Sequence, residues 1–197
     1  MKLYGTTTSP FVRRVRVVAT EVGQTFDLIN TAHDAGTAAL KALSPIWKVP
    51  VVEVAGRVLY DSHVICDWLT TTHGWGTMKP PVDRWHDANL LSAIDGALES
   101  GVQLFYLQRE GIDADKLPFG QRQRDRIASI FDWLAARLGD HGFGDGLGMP
   151  ELALLATLDW MEFRAIHPAD RLPPALGVFR ASHRDRSSLV ATPPVVT

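Results

Sequence analysis

Residues 43–53, LSPIWKVPVVE, decide how the first part of this chain folds. They run into the stretch VPVVEVAGRVLYD at 49–61, which reads as two β-strands joined by a tight hairpin at Ala55-Gly56-Arg57. A short helix is predicted before them at residues 38–42, and SHVICDWLTT at 62–71 has helical spacing. The order around the opening stretch is therefore helix, hairpin, helix.

The residues upstream add a strand, a helix and a second strand. MKLYG at 1–5 reads as a short strand, and TFDLINT at 25–31 alternates as another. Between them, apolar side chains at intervals of four, three and four predict one face of a helix over residues 10–22, namely Phe11, Val15, Val18 and Val22. The first part thus reads β-α-β followed by β-β-α, which predicts a compact four-stranded sheet.

The rest of the chain reads as helical. Glycines and prolines in GWGTMKPPVD at 74–83 indicate a linker. Amphipathic or apolar segments follow at residues 85–109, 119–138 and 150–166. We therefore predict a first domain at residues 1–75, a linker at 76–83 and an all-α domain at 84–197. Gly148 would cap the buried third helix, with the carboxylate of Glu151 reaching back to the Gly148 N–H.

Charge and composition exclude several classes of protein. The 20 basic and 22 acidic residues are interspersed, which argues against a nucleic-acid surface. No apolar run approaches the roughly 20 residues that span a bilayer, and the N-terminus has no signal-peptide pattern, so we expect no membrane contact. One cysteine, Cys66, fits a reducing cytoplasm, and the histidines have no metal-ligand spacing, so no metal is expected.

Three local patterns occur in a characteristic order: SPFVRRVR at 9–16, LSPIWKVPVVE at 43–53 and LYDSHVICDWL at 59–69. Together with the helical second half, they resemble the cytosolic glutathione S-transferase superfamily over nearly the whole chain. The resemblance implies an α/β thioredoxin-like N-terminal domain followed by an all-α domain, in a serine-type, bacterial-like member whose class is unassigned. It also implies glutathione as co-substrate.

Ser9 is the catalytic candidate that this resemblance implies. Ser9-Pro10 by itself is an ordinary helix start, with a hydroxyl cap and a proline at the first helical position. A helix N-terminus also favours a thiolate, and Ser9 stands where the cysteine-using members have their cysteine. A serine cannot form a mixed disulfide with glutathione, which argues against thiol-disulfide chemistry. Thr7, Thr8 and Tyr4 remain alternatives for the contact to sulfur, although Tyr4 fits strand packing better.

The resemblance also implies a glutathione site made by two further segments. The Val49–Pro50 bond is typically cis in this fold, and the backbone of Val49 would pair with the cysteinyl unit of the ligand. Asp61 and Ser62, which on their own read as a helix N-cap, would hold the γ-glutamyl group. Lys48 is the nearest cation to the glycyl carboxylate, although a surface lysine is an equally simple reading.

The helical half would bind the second substrate, a small hydrophobic electrophile. The candidate pocket residues are Phe11, Phe105, Tyr106, Arg109 and Trp160, although aromatic residues at helical spacing also fit a core. Gly96 interrupts the long helix, and a close approach at a homodimer interface would explain it. We expect a cytoplasmic glutathione transferase with a role in detoxification. The alternatives are a non-catalytic member that binds glutathione or a protein, and a glutathione-dependent isomerase or dehalogenase.

Overall fold

The computed structural model describes residues 1–196, which form two compact units. The first unit comprises Met1–Met78 together with the residues from Asp185 onward, and the second comprises Lys79–Arg184. The domain limits drawn from the sequence, 1–75, 76–83 and 84–197, stay a proposal. The segment that starts at Asp185 belongs to the first unit, because its contacts are with that unit.

The first unit is built on a mixed four-stranded sheet in the order β2-β1-β3-β4, as described for residues 1–196. β1 pairs parallel with β2 and antiparallel with β3, and β3 pairs antiparallel with β4. The elements are β1 (Lys2–Gly5), α1 (Pro10–Glu21), β2 (Asp27–Asn30), α2 (Asp34–Leu43), β3 (Val51–Val54), β4 (Arg57–Leu59), α3 (Ser62–His73) and α8 (Ser187–Val190). This arrangement confirms the predicted thioredoxin-like domain.

The core of this unit follows the apolar periodicities. Val15 and Val18 of α1 and Ile65 and Leu69 of α3 are fully buried, and the two helices pack against each other. On the sheet, Tyr4 packs with Leu40 of α2 and Val51 of β3, together with the half-buried Ile29, Ala39, Leu43, Val49 and Tyr60. Burial of this kind contributes about 1.5–3 kcal/mol for each large apolar side chain.

Helix α2 is longer than the predicted segment 38–42. It begins at Asp34, because the Thr37 hydroxyl donates to the carbonyl of Thr31 at 3.0 Å and Gly36 lies against the preceding turn. A Cβ at Gly36 would stand 2.0 Å from the Asn30 carbonyl oxygen, so only glycine fits there. This contact leaves no periodic pattern of apolar residues in the sequence. The prediction from apolar spacing therefore did not include the first turn of α2.

The second unit is all-helical among the residues described. It contains α4 (Arg84–Arg109), α5 (Pro118–Ala135), α6 (Met149–Phe163) and α7 (Pro174–His183), with short 3-10 turns at Ala114–Lys116 and Ala169–Arg171. Helix α4 packs against both α5 and α6. At Gly101 the approach is so close that a Cβ would stand 2.6 Å from the Met161 methyl carbon. These contacts confirm the predicted all-α architecture, to which α7 is an addition that the sequence analysis did not foresee.

The start of α6 agrees with its predicted cap. One carboxylate oxygen of Glu151 accepts from the Gly148 N–H at 2.8 Å, which confirms the expected contact. The other oxygen accepts from the Phe143 N–H, also at 2.8 Å, and Glu151 is buried. Glu151 therefore satisfies a free N–H of the helix start and also fixes the glycine-rich segment before it.

Candidate functional site

Three segments of the first unit end at the same edge of the sheet. Tyr4 of β1 pairs with Val51 of antiparallel β3, so the residues that follow β1 lie beside those that precede β3. Val52 pairs with Leu59 of β4, so the residues that follow β4 extend past the same edge. The register therefore brings three candidate segments to one place: the loop with Ser9, the turn Lys48-Val49-Pro50 and the pair Asp61-Ser62.

Ser9 is the N-cap of α1. Its hydroxyl oxygen accepts from the Val12 N–H at 3.3 Å, and Pro10 occupies the first helical position. A serine hydroxyl has one donor proton and two acceptor lone pairs, and the cap uses only an acceptor. No hydrogen bond in residues 1–196 engages the Ser9 O–H proton. This proton therefore remains able to reach an anion at the helix N-terminus, where the peptide dipoles favour negative charge.

The other three hydroxyl candidates are either buried or hydrogen-bonded within the chain. Tyr4 is buried in the core beside Leu40 and Val51. The Thr7 hydroxyl donates to the Val195 carbonyl at 2.6 Å. The Thr8 hydroxyl lies 3.2 Å from that of Thr6. These contacts favour Ser9 over Tyr4, Thr7 and Thr8 as the donor to a sulfur atom.

The turn before β3 has the backbone form that the resemblance implies. The Val49–Pro50 peptide bond is cis, as expected. Val49 is half-buried and packs on the Tyr4 cluster, whereas Pro50 is buried. Lys48 is exposed, and no ion pair joins it to a carboxylate of the described chain. Because the Val49 side chain packs in the core, only the backbone of Val49 is available to a ligand. Lys48 offers a solvated ammonium group.

Asp61 and Ser62 form the start of α3. An oxygen of the exposed Asp61 carboxylate accepts from the His63 N–H at 2.9 Å, so the predicted N-cap is confirmed. Ser62 is buried at the first helical position, and its hydroxyl makes no hydrogen bond to another residue between 1 and 196. The N-terminus of this 12-residue helix carries unpaired N–H groups and a positive partial charge, which suits a carboxylate ligand.

Four of the five proposed electrophile residues lie together in the second unit. The ring centroids of Phe105 and Trp160 are 6.0 Å apart, and those of Phe105 and Tyr106 are 5.8 Å apart. The guanidinium carbon of Arg109 lies 5.7 Å from the Tyr106 ring centroid. Trp160 is buried, whereas Tyr106 is exposed, so this cluster runs from the helical core to the surface. Phe105, Tyr106 and Trp160 together form an aromatic cluster.

Arg164, which no local sequence pattern singled out, also lies beside this cluster. Its guanidinium carbon lies 4.5 Å from the Phe105 ring centroid and 4.7 Å from that of Phe163. Arg164 follows Trp160 by four residues, a helical spacing that could have drawn attention to it. Phe11, the fifth proposed residue, lies in the first unit, where its ring is 5.7 Å from the guanidinium carbon of Arg14.

Two further features bear on the kind of site that the described residues can form. No helix within residues 1–196 is long and apolar enough to cross a membrane. No group of three or more histidine, cysteine, aspartate or glutamate side chains in that part of the chain could hold a metal ion.

A thioredoxin-like unit followed along the chain by an all-helical unit is the architecture of the glutathione S-transferases, and comparison with known proteins gives the same family. The sequence matches the glutathione S-transferase N-terminal domain over residues 3–80 and the C-terminal domain over residues 112–186. The chain therefore belongs to the cytosolic glutathione S-transferase superfamily.

Individual relatives cover nearly the whole chain. It is 27% identical to "Uncharacterized GST-like protein YibF" of Escherichia coli (strain K12) over 172 residues, 85% of each chain. It is 29% identical to a glutathione transferase family member from Pseudomonas fluorescens Pf-5 solved with bound glutathione, with a TM-score of 0.79 over 99% of each chain. A glutathione S-transferase from Methylobacterium radiotolerans JCM 2831, in complex with glutathione sulfonate, is 24% identical and shares the fold. Its TM-score is 0.84, over 100% of this chain and 95% of that one.

Proposed function

We propose that this protein is a glutathione S-transferase that activates the glutathione thiol through Ser9. The thiol loses its proton to solvent, and the thiolate sulfur attacks an electrophilic carbon of the second substrate. A carbon–sulfur bond forms with the sulfur electron pair. Either a leaving group departs with its bonding electrons, or, in an addition, the neighbouring carbon takes up a proton. The co-substrate is glutathione, which is bound in the Pseudomonas fluorescens relative.

The observation that carries this proposal is the dual capacity of the Ser9 hydroxyl. Its oxygen caps α1 by accepting from Val12, while its proton is not used by any hydrogen bond of the described chain. A donor to sulfur stabilises the thiolate over the thiol and lowers the thiol pKa. The helix dipole acts in the same direction. The three competing hydroxyls are buried or already hydrogen-bonded, so Ser9 is the best-placed donor.

The rest of glutathione would bind along the edge of the sheet that also holds Ser9. The backbone of Val49, set by Pro50, would pair with the cysteinyl unit of glutathione. The Ser62 hydroxyl and the free N–H groups of α3 would take the γ-glutamyl carboxylate, and Asp61 would hold the ammonium group. Lys48 would face the glycyl carboxylate. Two of these groups support the assignment directly: the Ser62 hydroxyl has no hydrogen bond, and the Lys48 ammonium no ion pair, to another residue between 1 and 196.

The second substrate would bind on the helical unit. We assign it to the surface formed by the aromatic cluster and Arg109. We also propose that the protein is a homodimer that associates through α4, in the cytoplasm, and that it acts on small electrophiles in detoxification. Gly96 is the residue that argues for an interface at α4. A glycine inside a helix lowers helix stability by about 1 kcal/mol relative to alanine, and a close contact with a second chain would compensate for this loss.

An ultraviolet difference titration tests the thiol chemistry directly. Glutathione is added to the wild type at neutral pH, and the thiolate absorbance is followed. The wild type should give a thiolate signal, Ser9→Ala should lose it, and Ser9→Thr should keep part of it, because threonine retains a hydroxyl.

The control variant separates catalysis from helix capping. Ser9→Ala also removes a cap, which costs about 1 kcal/mol. Asp83→Ala removes the cap of α4, where Asp83 accepts from the N–H groups of Trp85 and His86, and it should leave the thiolate signal unchanged. A wild type that binds glutathione without a thiolate signal would overturn the transferase proposal. A binding or scaffolding role would then replace it.

A further inference from the structure

We propose that the electrophile carries a carboxylate on an aromatic or unsaturated group, and that Arg109 and Arg164 bind this carboxylate beside the rings of Phe105 and Tyr106. This inference rests on the proposed transferase function and narrows its substrate class. It predicts a preference for an acid over an uncharged analogue of the same shape.

The two arginines reach the same aromatic cluster from different helices. Arg109 ends α4, four residues after Phe105, and Arg164 directly follows α6, four residues after Trp160. Residues four apart lie on one face of a helix, so each arginine is on the face that carries its aromatic neighbour. Arg109 lies over Tyr106 and Arg164 over Phe105, and these two rings are themselves neighbours. The two cations therefore flank adjacent rings.

Neither guanidinium has an anionic partner in the described part of the chain. Other arginines of this unit do: Arg180 pairs with Asp159 at 2.6 Å, and Arg124 pairs with Asp115 at 2.5 Å. By contrast, Arg109 and Arg164 make no ion pair within residues 1–196. The Nε atom of Arg164 is buried and has no hydrogen-bond partner there. A buried donor without a partner is costly, and a ligand that accepts from it would remove that cost.

Electrostatics agree with this geometry. Burial, and then the nearby positive charge of Arg109, lower the pKa of Arg164 from its usual value. No carboxylate raises the pKa of Arg164 in return. An anion between the two guanidinium groups would relieve their repulsion. A carboxylate fits best, because its two oxygens match the fork of a guanidinium group.

The rings define the remainder of the ligand. Tyr106 is 54% exposed and Phe105 is half-buried, so both offer apolar surface to a planar group. Aromatic rings stack or meet edge to face with other rings at centroid distances of about 4.5–7 Å. A carboxylate alone would use the arginines but not the rings. The surface as a whole therefore matches an acid attached to an aromatic or conjugated group.

Calorimetric titration against a matched pair of electrophiles tests the inference. The acid is a chloronitrobenzoate with chlorine para to the carboxylate and the nitro group ortho to the chlorine; the uncharged partner is its benzamide. Each is titrated without glutathione, so no reaction occurs. The wild type should bind the benzoate at least about tenfold more tightly than the benzamide, as expected for a charge-assisted hydrogen bond.

Variants assign the preference to the two arginines. Arg164→Gln and Arg109→Gln should each bring the ratio of the two affinities towards one, and Arg164→Lys should retain part of it. Arg109 is exposed, so Arg109→Gln should fold normally and tests the site even if Arg164→Gln fails to fold. Arg122→Gln, an equal change of charge at an exposed position on α5, should keep the wild-type ratio. Equal affinities in the wild type, no binding of the benzoate, or a preference that survives both glutamine variants would overturn the inference.

A second readout separates this inference from the transferase proposal. With glutathione present, the thiolate would displace chloride from the ring, and the conjugate is measured against the uncatalysed rate for each compound. A benzoate preference in binding without any conjugate formation would keep the anion site and refute the transferase function. Conjugation of both compounds without an affinity difference would overturn the inference and leave the transferase function standing.

Discussion

Arg186 donates to both carboxylate oxygens of Glu21, from Nε and from Nη2 at 2.6 Å each, although the two residues are 165 positions apart. The hydroxyls of Thr77 and Ser188 donate to the same carboxylate. The Glu21 side chain is only 4% exposed, against 23% for Arg186. Glu21 therefore fixes the segment that starts at Asp185 to helix α1 within the first unit.

Glu21→Gln should destabilise the protein. Removing one partner of a buried ion pair leaves the other charge without compensation and costs about 3 kcal/mol. Urea unfolding at neutral pH should show a lower midpoint, with the slope unchanged. Glu53→Gln is the comparison, because Glu53 pairs with Lys2 at 3.3 Å on the surface and exposed pairs contribute little. An equal effect of both substitutions would contradict the role assigned to Glu21.

The same carboxylate predicts how stability depends on pH. Burial raises the pKa of Glu21, but the hydrogen bonds from Arg186, Ser188 and Thr77 outweigh it, so the net pKa in the folded protein is lowered. A lowered pKa means that the stabilisation is complete above the unfolded value of about 4.3 and is lost as the pH falls through the folded value. The difference in unfolding free energy between wild type and Glu21→Gln should be constant from neutral pH down to about 5. It should shrink in more acidic solution, and a constant difference there would contradict the lowered pKa.

Glu151→Ala should destabilise the second unit by about 2–3 kcal/mol, because it leaves two N–H groups, those of Phe143 and Gly148, without their acceptor. Glu151→Gln should cost less, since its single amide oxygen still accepts from one of them. Urea unfolding of the two variants shows which of them loses more unfolding free energy. A glutamine variant as unstable as the alanine variant would show that the charge, and not the pair of hydrogen bonds, matters.

Much of the fold was predictable because its signals are local. The apolar spacing of α1 and the alternation of the strands reflect burial on one face, which acts within a few residues. Helix α2 was predicted too short, because its first turn depends on Gly36 against the Asn30 carbonyl, a tertiary contact. Helices α7 and α8 were not foreseen: α7 starts beside consecutive prolines, and α8 is only four residues long.

The candidate site also contains residues that local sequence patterns predict and residues that depend on tertiary contacts. Ser9 and Asp61 are caps, so their residue types and positions mark them in the sequence. Arg164 lies next to Phe105 only because α4 packs on α6, and a local pattern carries no information about that contact. The Glu21–Arg186 pair joins opposite ends of the chain and has no local signal at all. Long-range charge pairs of this kind require the structure.

Asp61→Asn should separate the two roles of Asp61. Asparagine caps a helix about as well as aspartate, so unfolding free energy should change by no more than about 0.5 kcal/mol. The negative charge is lost, so glutathione affinity, measured by calorimetry, should fall about tenfold if Asp61 holds the ammonium group. Asp83→Asn makes the same change at the cap of α4 and should leave the affinity unchanged. Unaltered glutathione binding in Asp61→Asn would limit Asp61 to its role as a cap.

Gly96→Ala tests the proposed dimer, because within one chain the alanine has room: its Cβ would meet only the Ile130 methyl carbon, at 3.4 Å, among the described residues. A monomer should therefore gain up to about 1 kcal/mol from the better helix propensity. If a second α4 packs closely on Gly96, the added methyl group should weaken association at least about tenfold. Sedimentation measures the mass against 21.7 kDa for one chain. Gly177→Ala is the matched control, since that helical glycine has open space around it and should gain stability without a change in association. A wild type that sediments as one chain would refute the dimer, and a Gly96→Ala dimer as tight as the wild type would exclude Gly96 from its interface.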